Sequence, residues 1–256
     1  MKIIQAILLS TLFLLASMPI ASQEVVTARR RAGGGAAGTW SLIQFKYWDN
    51  VGGGTGGGTC SGGGSSCQVT ITAPTAGNLL VAVGFFDKST STMTTPTGGQ
   101  TWTHCAGTNG CLFGNNTVGL IDAWYVTSAT STGQTSVTCN YSGGTTAYQS
   151  CGVYEYHWTG TTISFDTSNG AIDATCTTCA GATLTLGGTA DVIIQTGWSL
   201  PSSTGFSAIT GSYTSPKQFY SGGGDAGWIN TSSGAAPNWT GSSAQYTVMG
   251  IAFKGT

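Results

Sequence analysis

Charge is scarce in this sequence. Only 7% of its 256 residues are Asp, Glu, Lys or Arg, against roughly 25% in an ordinary soluble domain. Beyond residue 31, Lys46, Lys88, Lys217 and Lys254 are the only cations and face eight acidic residues. So few cations cannot neutralise a run of phosphates, and they make no basic face for an anionic membrane. Nucleic acid and, after signal cleavage, the membrane are therefore excluded as partners. Strong helix formers are also rare, with Glu present twice and Met four times. A helical bundle, a coiled coil and a Rossmann-type α/β enzyme are excluded on that ground. No G-x-S-x-G turn and no EF-hand loop occurs. Only His104 and His157 are available as a histidine base. A polysaccharide-cleaving copper oxygenase would need His at the mature N-terminus, and the residues near the expected cleavage are Ser22, Gln23 and Glu24.

What the chain does have is 41 Gly, 42 Thr and 27 Ser, with aromatics at 10%. The aromatics give it surface to bury, so it is not simply disordered. Residues 1–22 read as a secretory signal: Lys2, an apolar stretch from Ile3 to Leu15, then a small-residue tail with cleavage after Ala21 or Ser22. The apolar stretch is short for a membrane span of about 20 residues, which disfavours a retained anchor. Residues 23–39 form a Gly/Ala/Arg linker. Within it Arg29, Arg30 and Arg31 are a solvated stretch or a processing site, although positive charge there resists export.

Eight cysteines stand at 60, 67, 105, 111, 139, 151, 176 and 179. An even number in an exported chain predicts disulfides, and the clustering into neighbours predicts Cys60–Cys67, Cys105–Cys111, Cys139–Cys151 and Cys176–Cys179. A hairpin folded about Thr145 would set Cys139 opposite Cys151. The rival reading of Cys176-Thr-Thr-Cys179 as a zinc or redox motif lacks a second C-x-x-C, a nearby His and a helix to open.

Short apolar runs broken by Gly, Thr, Ser and Pro recur from Trp40 to the end, and none shows a sustained helical period. About ten strands without a helix predict an all-β fold. We expect residues 40–256 to form one two-sheet antiparallel β-sandwich, jelly-roll-like and stapled by local disulfides. Leu79 to Val83 and Val192 to Ile194 are apolar at every position, so their strands should be covered on both faces. The C-terminal run ending in Ile251-Ala252-Phe253 should close against an early strand.

Asn78-Leu79-Leu80-Val81, then Val153-Tyr154-Glu155-Tyr156 running to Gly160, then Ala252-Phe253-Lys254 follow one another in that order. They resemble a class of secreted bacterial β-sandwich domains with a "GNLLV … EYxG … AFK" strand pattern, over about residues 67–254. The resemblance implies the fold and no catalytic residue. His157-Trp158-Thr159 lengthens the usual spacing, and the many cysteines depart from it.

Candidate site residues are few. On a strand, Glu155 and His157 share a face. Outward, they would be an acid/base or ligand pair; inward, a hydrogen-bonded anchor for neighbouring loops. Tyr154, Tyr156 and Trp158 on the other face are core or a sugar-stacking row. Trp102, Trp228 (with Asp225) and Trp239 fall in glycine- or proline-containing segments that read as loops, where a ring is hard to bury and binding function concentrates. A glycosidase would need a second carboxylate beside Glu155, from Asp122, Asp166 or Asp225. No cofactor is predicted; a structural Ca²⁺ held by backbone carbonyls would leave no trace in the sequence.

These readings converge on a secreted or cell-surface, non-catalytic protein that recognises an extracellular carbohydrate or cell-surface polymer through loop aromatics. The alternatives are a self-associating structural or adhesion protein and a polysaccharide-cleaving hydrolase or lyase using Glu155.

Overall fold

The computed structural model describes residues 38–50, 53–60, 63–87, 92–105, 110–115, 119–142, 148–188, 190–200, 213–219, 224–231, 236 and 238–256. The signal at 1–22, the linker up to residue 37 and the turn at Thr145 lie outside them. Among the described residues there is no helix. Fifteen strands follow in order among the described residues: β1 (Trp40–Asp49), β2 (Gly58–Cys60), β3 (Ser66–Thr70), β4 (Leu79–Phe86), β5 (Thr92–Thr97), β6 (Thr103–His104), β7 (Phe113–Asn115) and β8 (Gly119–Val126). Then come β9 (Ser136–Ser142), β10 (Gln149–Trp158), β11 (Ile163–Ala180), β12 (Asp191–Leu200), β13 (Thr214–Phe219), β14 (Gly224–Thr231) and β15 (Asn238–Gly255).

The all-strand, antiparallel, disulfide-stapled class is as expected, but the strands pair into three sheets rather than two. One runs β1-β10-β4-β8, with β6 and β7 both pairing with β8; the second runs β11-β15-β12-β14-β13; the third runs β2-β3-β9-β5. The first sheet is the middle layer. Leu79, Val81, Val83 and Phe85 of β4 pack with Val192, Ile194, Met249, Ile251 and Phe253 of the second sheet. The alternate residues Leu80, Ala82 and Phe86 pack with Val69, Met93, Val137 and Tyr141 of the third. That is why β4 is buried at all eight positions and reads as an unbroken apolar run: each face of its pleat meets a different sheet. Phe85 stacks on Trp198 with ring centroids 5.6 Å apart, and Tyr125 on Phe165 at 5.6 Å, both across the first interface.

Val192-Ile193-Ile194 is apolar throughout for a related reason. Ile193 points away from the middle sheet into a small cluster with Leu184, Tyr213 and Ala252. The segment after β11 supplies that outer cover. β15 does not close against an early strand, because β11 and β12 occupy its two edges.

All four expected disulfides are present. One of them joins strands that do not form the expected hairpin. Cys139 and Cys151 are not opposed in a ladder: Cys139 pairs with Cys67 in the third sheet, and Cys151 with Trp48 and Gly84 in the middle one. Their bridge ties two layers together. Burial explains the parting of the strands. In β9 buried Val137, Cys139 and Tyr141 alternate with half-buried neighbours, as in an outer sheet. In β10 all but one residue is buried, as only a middle sheet allows. The Tyr141 hydroxyl reinforces the seam by donating to the Ser150 carbonyl at 2.5 Å.

Candidate functional site

Glu155 faces the inside. It is 1% exposed and accepts from Gln44 Nε2 at 2.6 Å, the Thr75 N–H at 2.9 Å and Asn78 Nδ2 at 2.6 Å. Gln44 in turn bonds the Thr72 backbone in both directions. With Asn78 Nδ2 committed to Glu155, Asn78 Oδ1 accepts a hydrogen bond from His157 Nδ1–H at 2.9 Å. The carboxylate therefore fastens the 72–78 segment across β1 and β10. Tyr154, Tyr156 and Trp158 lie in the core on the opposite face.

The expected loop aromatics are also placed elsewhere. Trp102 is 7% exposed and packs in the core under the third sheet, and Trp239 is fully buried with Cys179, Tyr246 and Val248. Neither ring offers a face to an external sugar. Trp228 and Asp225 belong to strand β14, paired with Ile194 and Gly197 of β12, rather than to a loop.

An open cleft lies where the sequence pointed to nothing. It has a volume of about 400 Å³ and is lined by Trp48, Asp49 and Asn50 from the end of β1, and by Gly58, Thr59, Cys60 and Ser66 from β2 and β3. Its floor is held from several sides. The Asp49 and Gly53 backbones bond at 3.1 Å and the Gly53 N–H also donates to Asp49 Oδ1 at 3.2 Å. Asn50 takes the Gln149 N–H on its Oδ1 at 2.9 Å and returns its own N–H to the Gln149 carbonyl at 3.1 Å. The Cys60–Cys67 bridge closes the β2–β3 wall. Burial, and then the Asp49 charge, raise the pKa of the Tyr47 phenol beneath. Glycine makes the cleft: a Cβ at Gly58 would sit 3.0 Å from Trp48 Cγ, and one at Gly54 2.6 Å from Trp48 Cε3. The glycine run after β1 thus lets two stretches of backbone lie directly on the indole. An aromatic strand followed by such a run was the available signal.

Two further polar clusters had no sequence signature. His104 Nε2 lies 2.8 Å from Oδ1 of buried Asp122, and the ring rests on Trp124 at 4.7 Å. The bond to Asp122 raises the His104 pKa against the opposing effect of burial. On the far sheet, Asp166 and fully buried Asp191 adjoin, with Lys254 Nζ 3.1 Å from Asp166 Oδ1. Burial, then the charge and hydrogen bond of Asp166, push the Asp191 carboxyl up to about 6, with Lys254 opposing. No group of three or more His, Cys, Asp or Glu able to hold a metal ion occurs among the described residues, and no helix long and apolar enough to cross a membrane occurs among them. Four disulfides fit an oxidising environment.

No protein-family model, curated protein or solved structure matches this chain.

Proposed function

We propose that this is a secreted, non-catalytic carbohydrate-binding protein whose binding site is the Trp48 cleft. The supporting observation is the company the indole keeps: a carboxylate, a carboxamide and two hydroxyls around one open cleft of about 400 Å³. A pyranose presents an apolar face and a rim of hydroxyls. The part of the indole that lines the cleft takes the face, while Asn50, Thr59 and Ser66 bond the rim. The shortage of charge elsewhere favours a neutral polymer over a charged one.

Affinity electrophoresis through gels containing xylan, galactomannan or mixed-linkage β-glucan tests this. The wild type should be retarded by at least one of them. Trp48→Ala should migrate freely, and so should Thr59→Lys, which places a charge in the cleft from an exposed position without touching the core. Equal mobility of all three proteins in every gel would reject the reading.

Self-association is a second reading with its own observation. Ile43 on edge strand β1 and Ile172 on edge strand β11 are 51% and 47% exposed, and edge strands with exposed apolar groups invite pairing. Sedimentation velocity over a hundredfold concentration range would reveal it as a rising mass.

A further inference from the structure

Among the described residues, the strands of the third sheet present one apolar face and one face without a charged side chain. Its inward residues are Val69, Val137 and Met93 with their neighbours. None of the residues of β2, β3, β5 and β9 is Asp, Glu, Lys or Arg. Outward, the ladder aligns polar side chains in rows. Thr59, Gln68, Thr138 and Thr97 are successive partners across all four strands, and Ser66, Asn140 and Thr94 make the adjacent row. Strand geometry sets about 4.8 Å between neighbours along a row and about 6.8 Å between rows. The groups are partly bonded to one another in advance: Thr92 Oγ1 to Ser142 Oγ at 2.7 Å, and Asn140 Nδ2 to the Thr95 carbonyl at 3.1 Å. The sheet is braced from behind by the Cys139–Cys151 bridge and at its β2–β3 edge by Cys60–Cys67.

Such a face discriminates by what it lacks. A polyanion or polycation finds no counter-charge on it, and an apolar partner finds no exposed apolar side chain. A flat, repeating, neutral array of hydroxyls finds donors and acceptors at regular intervals on a rigid support. Thr59 and Ser66 belong both to these rows and to the Trp48 cleft, so the two surfaces are continuous.

We infer that the outer face of the β2-β3-β9-β5 sheet is a platform that seats the protein on the ordered surface of an insoluble neutral polysaccharide, extending the site at Trp48. This rests on the carbohydrate reading above and adds the physical state of the ligand: a packed surface of chains rather than a free chain in solution.

Depletion of the full chain from solution by microcrystalline cellulose and by α-chitin tests it, with soluble mixed-linkage β-glucan as the parallel ligand. Thr94→Lys and Thr138→Lys place charge on the platform away from the cleft, and Thr177→Lys, on exposed β11, is the control. Circular dichroism confirms that each variant is folded. The expected result is retention of the wild type and the control on one of the solids, a fall of at least tenfold for both platform variants, and unchanged binding of soluble β-glucan by them. Equal retention of platform variants and wild type overturns the platform and leaves the cleft standing. Failure of the wild type to bind any soluble or solid polysaccharide overturns both. Arrest of ice growth by the wild type, lost in the platform variants and without retention on either solid, overturns the polysaccharide as occupant in favour of ice.

Discussion

Gln195 and Ala182 are bonded as two strands of a sheet are bonded. The buried carboxamide donates from Nε2 to the Ala182 carbonyl at 2.6 Å and accepts the Ala182 N–H on Oε1 at 3.0 Å. One side chain thereby replaces a missing strand and pins the segment that covers the outer face of β12 and β15.

Gln195→Ala removes both bonds and leaves two buried backbone groups unpaired. At about 1–3 kcal/mol for each orphaned group, the loss should be about 2–6 kcal/mol. Urea unfolding measures it, and a loss below about 1 kcal/mol would show that the segment does not depend on the clamp.

Glu155→Ala should behave as the loss of an anchor. Three donors lose a common acceptor, which predicts a destabilisation of about 3 kcal/mol or more and faster amide exchange at residues 72–78. Binding at Trp48 should persist in the folded fraction. A variant of wild-type stability and unchanged exchange would contradict this placement.

The disulfides should differ in worth. The chain-entropy estimate gives about 3 kcal/mol for the loop between Cys139 and Cys151, twelve residues apart, and about 1.5 kcal/mol for Cys176–Cys179, three apart. Paired Cys→Ala replacements, compared by thermal melting, should follow that order. The reverse order would show that the seam between the sheets is held by packing alone.

Stability should fall as pH rises, in two steps. Asp191 keeps its proton up to about pH 6 when folded but only to about 3.8 when unfolded. Its favourable contribution is therefore complete below about pH 4 and lost as pH passes through 6. His104, raised above 6.5 by Asp122, contributes below that value and loses its contribution as pH climbs through its folded pKa. Asp191→Asn should abolish the lower step and His104→Asn the upper one, read from melting temperatures across pH 4–8. A wild-type melting temperature that climbs with pH across that interval would contradict both assignments.

Much of the scaffold was legible in the residues. Unbroken apolar runs marked β4 and β12 as covered on both sides, because pleat geometry forces alternate residues to opposite faces. The cysteine pairs followed from nearness in sequence. The number of sheets did not, since the step of β9 and β10 into different layers depends on burial that only the whole fold decides. The site was less legible still. Trp102 and Trp239 stand in segments that read as loops, yet tertiary packing draws them inside. Trp48 sits in an ordinary strand and becomes part of a cleft only because Gly54 and Gly58 fold back onto it. His104 and Asp122 are eighteen residues apart, and only the packing of β6 on β8 brings them together.

On the proposed function, the Trp48 cleft takes a neutral carbohydrate. Calorimetric titration of the wild type and Trp48→Ala with whichever soluble polysaccharide retards the wild type, with both melts recorded, is its most direct test. A saturable binding heat is expected for the wild type and none for the variant, with both proteins folded at the titration temperature. Indistinguishable heats from the two folded proteins would contradict it.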